Sequence, residues 1–129
     1  MKRIYNSIFL IFALSVSAWG QDDNSANLSG IEAVKKIIMA LPEVKAKDHV
    51  YDSITNRMQH IVLHIASPDT ATQLYKVEAG YQGNNRFQPH FYIYVDLPGN
   101  RIYVEDLDRG DRTTLEEWRR RRAVTTAGN

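Results

Sequence analysis

Three groups of side chains in this sequence have types and spacing that suggest chemistry: His60 with His64, the acidic stretch Asp106 to Asp111, and the four consecutive arginines Arg119 to Arg122. A histidine pair invites metal ligation, with His49 and His90 as further ligands. On a strand, at about 3.3 Å per residue, His60 and His64 share a face but stand about 13 Å apart. That is too far for one zinc ion, whose nitrogen ligands lie at about 2.1 Å; on a helix the same spacing would converge. The stretch Asp-Leu-Asp-Arg-Gly-Asp resembles the opening of a calcium loop, and Glu117 falls at the twelfth position. The register fails because Asp111 stands where the sharp turn requires glycine. These residues read instead as a polar connection, and no metal or other cofactor is expected.

Nucleophilic catalysis has no local signature. The chain has no cysteine, no G-x-S-x-G elbow and no H-E-x-x-H metal motif. Triads are recognised by geometry rather than by spacing, so a small hydrolase with a distributed site stands as the enzymatic alternative to a noncatalytic chain. Arg119, Arg120, Arg121 and Arg122 have the charge to hold a phosphate or an anionic membrane surface. The competing reading is a solvated helix end. There the cations offset the partial negative charge of the terminal carbonyls, with Glu116 and Glu117 close by.

The elements that position these groups are organised around residues 90 to 106, two alternating runs joined at Pro98-Gly99-Asn100. The period of two predicts an antiparallel hairpin. Phe91, Ile93, Val95, Ile102 and Val104 form its core face, while His90, Tyr92, Tyr94, Asp96, Arg101, Tyr103 and Glu105 form the other. A type II turn with Gly99 at positive φ, or a tighter turn on Gly99-Asn100, would close it. Tyr92, Tyr94 and Tyr103, with Arg101 beside them, are the candidate interaction surface, because tyrosine joins apolar area to a hydrogen-bonding tip. The alternative is sheet stabilisation through cross-strand aromatic contacts.

Earlier in the chain, Lys2 and Arg3, an apolar centre from Ile8 to Val16 and small residues at Ala18 and Gly20 read as a secretory signal peptide over residues 1–20. The apolar centre is shorter than the roughly 20 residues of a membrane span. The expectation is a periplasmic or secreted product without stable membrane insertion. Loss of Lys2 and Arg3 takes the formal charge from +1 to -1, which offers no general attraction to nucleic acid. Residues 21–28 read as a flexible leader. Ser29 and Glu32 form a capping box for a helix carrying Ile31, Val34, Ile38 and Leu41 on one face and ending near Pro42. Residues 43–57 are too irregular to assign. Ile61, Leu63 and Ile65 mark a strand, as do Leu74 to Tyr81, with Tyr75, Val77 and Ala79 on one face. Thr113 and Glu116 cap a short C-terminal helix docked by Leu115 and Trp118, and residues 123–129 read as a tail. The fold class is α+β. About four antiparallel strands, in a meander because the connections are short, pack against one main N-terminal helix.

Taken together, Leu41 to Val44, Leu74 to Tyr81, Phe91 to Asp106 and Leu115 to Arg120 resemble small secreted PepSY-like domains of the broader cystatin-like architecture, over residues 29–122. The resemblance implies a single noncatalytic extracytoplasmic module, with a partner that is a protein or another envelope component. Restraint of a peptidase acting in trans is the inhibitor-like alternative. The domain is expected as a monomer or a homodimer.

Overall fold

The computed structural model describes residues 23 to 128. The expected signal peptide lies outside the described residues.

Helix α1 (Asp23–Met39) begins before Ser29, so residues 23–28 form its first turns rather than a leader, and the Ser29-Glu32 pair sits inside the helix. Val34 and Ile38 on its inner side are fully buried. Pro42 ends α1 and also opens α2 (Pro42–Ile54), because proline at the first helical turn removes an N–H that had no partner there. This assigns the stretch that sequence periodicity leaves open. Val44 and Tyr51 of α2 join the core.

The sheet is a five-stranded antiparallel meander, β1 (Val62–Ala66), β2 (Tyr75–Gln82), β3 (Phe87–Asp96), β4 (Arg101–Asp106) and β5 (Asp111–Thr114), in sequential order. The meander agrees with expectation; the strand count exceeds it by β5. The acidic stretch is the β4–β5 turn. Asp106 Oδ1 accepts from the backbone N–H groups of Asp108 at 3.1 Å and Arg109 at 3.3 Å. Gly110, at φ 70°, donates its N–H to the Asp106 carbonyl at 2.7 Å. An aspartate that satisfies the amides two and three residues on makes a tight turn without an ion.

Helix α3 (Leu115–Ala127) follows β5 directly. Its N-cap is Thr114, whose hydroxyl accepts from the Glu117 N–H at 3.2 Å. Thr113, the expected cap, is instead a buried residue of β5. The helix continues through residues 123–127, which therefore form no tail, and the arginine run lies in its middle rather than at its end.

The hairpin's two faces separate as its alternation predicts. Val77, Ala79, Ile93, Val95 and Val104 are at most 3% exposed, and Phe91 and Ile102 pack against the core. All three described helices lie on this side: α1 against β1, α2 through Val44 and Tyr51 in the same core cluster, and α3 through Leu115 beside Phe91, Ile93 and Val104. Two local details depart from the alternation. At the hairpin end, Asn100 donates its N–H to Leu97 O at 3.2 Å and takes the positive φ, 50°, that Gly99 was expected to adopt. A Cβ at Gly99 would meet the Asp96 carboxylate that accepts its N–H, so a larger residue there displaces that side chain. In β3, Phe91 pairs with Ala79 but Pro89 pairs with Gly80. The resulting β-bulge turns His90 to the helix side, away from Tyr92. Gly80 permits the close approach, because a Cβ would overlap the Gln88 carbonyl oxygen.

Candidate functional site

The strand register assembles the open face of the sheet. One row runs Ala66, Lys76, Tyr94, Tyr103, Thr114 and a second runs His64, Glu78, Tyr92, with Glu105 opposite Arg112. Tyr92, Tyr94 and Tyr103 are thus brought together and half-buried, while Arg101 is exposed at the hairpin end opposite Asp96. The guanidinium carbon of Arg112 lies 3.5 Å from the centroid of the Tyr94 ring, and the Tyr94 hydroxyl donates to Glu105 Oε2 at 3.3 Å. Lys76 Nζ sits 5.5 Å from the Tyr92 centroid and pairs with Glu78 at 3.2 Å; that partner raises the Lys76 pKa. His64 stacks on Phe87 with centroids 4.1 Å apart.

Aromatic rings therefore lie interleaved with cations drawn from β2 and β5, neighbours the hairpin alone does not reveal. Arg112 was missed with β5 itself; the alternation of Arg112 and Thr113 was too short to stand out. Glu78 and Glu105 balance the cations, so the face attracts no net class of ion. Its contact chemistry is flat aromatic area with hydroxyl tips and fixed charges of both signs.

The other sequence candidates are dispersed. His60 precedes β1 with Nδ1 3.4 Å from Asp48 Oδ1, and that oxygen also accepts the Ile61 N–H at 2.8 Å. His49 lies on α2, His64 on the open face and His90 against Tyr51, with ring centroids 5.5 Å apart. Among the described residues no three His, Cys, Asp or Glu side chains are grouped to hold a metal. The Ser53 hydroxyl donates to the His49 carbonyl at 2.9 Å, with the ring Nδ1 at 3.4 Å. Among the described residues no carboxylate is bonded to His49 to orient that ring.

The arginine run does not converge. Arg119 makes a two-point contact with Glu43 of α2, at 2.6 and 3.1 Å, which raises the arginine pKa and holds the Glu43 carboxyl below its usual range. Arg120 pairs with Glu117. Arg121 meets Asp106, Asp111 and Glu117 at 3.2 to 3.3 Å, and its pKa is raised first by Asp111. Arg122 alone has no carboxylate partner among the described residues; its guanidinium carbon lies 4.5 Å from the Trp118 ring centroid.

A second concave region lies between α2 and α3. A recess of about 480 Å³ is lined by Pro42, Ala46, Val50, Phe91 and Trp118 with Lys47 and Arg122. A neighbouring recess of about 660 Å³ shares Lys47, Phe91, Trp118 and Arg122 and continues to Asp106, Asp108, Arg109 and Arg121. Trp118 meets Phe91 edge to face at 6.2 Å. His90 lies here as well; burial, and then the charge of Lys47, lower its pKa. No helix among the described residues is long and apolar enough to cross a membrane. Comparison with known proteins returns no matching family model, no matching curated protein and no matching solved structure.

Proposed function

We propose that this chain is a noncatalytic extracytoplasmic protein-interaction domain of PepSY-like type, which meets a protein partner through the open face of its sheet. The observation that carries the reading is the one-sided placement of the helices. With α1, α2 and α3 all on the Phe91-Ile93-Val95 side, Tyr92, Tyr94 and Tyr103 are left facing outward on a rigid surface. Lys76 beside Tyr92, and Arg112 and Glu105 beside Tyr94, hold those two rings in place, which lowers the side-chain entropy lost on binding. Tyrosine and arginine are enriched at the energetic centres of protein interfaces. Arg101 and Arg112 supply that second residue type at the edges. The extracytoplasmic location rests on the basic, apolar and small-residue order of residues 1–20.

The test is affinity capture from an envelope fraction, run in parallel with the native chain and the triple variant Tyr92→Ser, Tyr94→Ser, Tyr103→Ser. A discrete protein retained by the native chain and lost by a variant whose circular dichroism and cooperative unfolding are preserved is the expected result. Equal retention by both removes the tyrosine face from the reading.

A further inference from the structure

The recess between α2 and α3 was not among the sequence candidates and plays no part in the tyrosine-face reading. Its walls are apolar, Pro42, Ala46 and Val50 from α2 and Trp118 from α3, over a floor of Phe91. Val50 is 49% exposed although it faces this apolar lining. Glu43 and Arg119 also line the recess and pair with one another there. Lys47 and Arg122 remain, lining both recesses, and neither has a carboxylate partner among the described residues.

We propose that this recess binds a single-chain anionic amphiphile, with its acidic head between Lys47 and Arg122 and its apolar tail along Pro42, Ala46 and Val50. The polarity of the groove sets that direction. The larger recess adds Asp106, Asp108, Arg109 and Arg121 to its lining, with Asp106 and Arg121 already paired, whereas the smaller one sets Lys47 and Arg122 beside the apolar side chains of Pro42, Ala46, Val50, Phe91 and Trp118. A volume of about 480 Å³ falls in the range of about 300 to 1,000 Å³ found for small-molecule pockets. A protein partner would call for a far broader contact, about 800 Å² on each side. Arg122 is held in position by its stack on Trp118, so its charge at the junction is fixed before a ligand arrives. The field of Lys47 is felt locally, since it adds to the lowering of the His90 pKa.

Calorimetric titration with dodecanoate below its micellar concentration, set beside dodecyltrimethylammonium, tests the inference on the native chain. Saturable one-to-one binding of dodecanoate alone is expected. Equal binding of both amphiphiles, or no saturable binding of dodecanoate, overturns it. The Lys47→Gln variant should weaken dodecanoate about tenfold, as removal of one charge-assisted contact does. The charge-reversed pair Lys47→Glu with Arg122→Glu should shift preference to the cationic amphiphile; unchanged dodecanoate affinity in either folded variant also overturns the assignment. Dodecanoate binding that persists in the Tyr92, Tyr94, Tyr103 serine variant separates this site from the tyrosine face.

Discussion

On the helix side of the sheet, Val77, Ala79, Ile93, Val95 and Val104 are removed from water by Val34, Ile38, Val44 and Leu115 of three helices. On the other side no element among the described residues covers the strands; Tyr92 and Tyr94 are half-shielded by Lys76 and Arg112, whose charges lie over their rings. The first surface draws its stability from apolar burial, and the second from contacts each worth about 1 kcal/mol or less. A partner arriving at the open face therefore meets side chains whose replacement leaves folding largely intact.

The largest effect should come from the covered side. Ile38→Ala removes a fully buried side chain and is expected to lower unfolding free energy by about 3 kcal/mol, read as a lower urea midpoint. Tyr92→Ser on the open side should cost less than about 1 kcal/mol. Comparable losses at the two positions would break the distinction between the faces.

That distinction was legible in the sequence because alternation in Phe91 to Val95 and Ile102 to Val104 has the strand period, and register then follows from the hairpin. It failed at His90. A bulge adds one residue to one strand without altering the local residue types, and only the demand for room at Gly80 records it. β5 was hidden because its four residues carry one inward side chain, Thr113, and its turn is built from aspartates that also compose loops. Helix α2 was hidden by a different cause. Val44 and Tyr51 are seven apart, two turns on one face, but the exposed Val50 and Ile54 blur the stripe. The same Val50 helps line the α2–α3 recess, so the residue that obscured the helix belongs to the site that sequence reading missed.

A smaller effect separates the β4–β5 turn from the arginine run beside it. Asp106 is only 9% exposed and binds two backbone N–H groups as well as Arg121. Asp106→Ala should cost about 2 kcal/mol by leaving those donors without their acceptor. Asp108→Ala, at an exposed position of the same turn, should stay within about 0.5 kcal/mol. If the two aspartates prove equivalent in urea unfolding, the turn is held by composition rather than by the Asp106 carboxylate.

The smallest effect concerns the ion pair joining the walls of the recess. Arg119 holds the Glu43 carboxyl below its ordinary value of 4.5, so the folded state binds this proton less readily than the unfolded chain. The stabilisation is complete above the unfolded value and declines as pH falls through the folded one. Because Arg119 is 42% exposed, solvent screening keeps the contribution below about 1 kcal/mol. Glu43→Gln should therefore narrow the stability difference between neutral and acid pH relative to the native chain, by less than about 1 kcal/mol, and leave stability nearly unchanged once the pH is low enough to protonate Glu43 in the folded chain. The subtraction matters, because every other carboxylate titrates alike in both proteins. An identical pH profile for the two would mean that Glu43 and Arg119 meet without stabilising the fold, and that α2 and α3 keep their separation through Phe91, Trp118 and Leu115 alone.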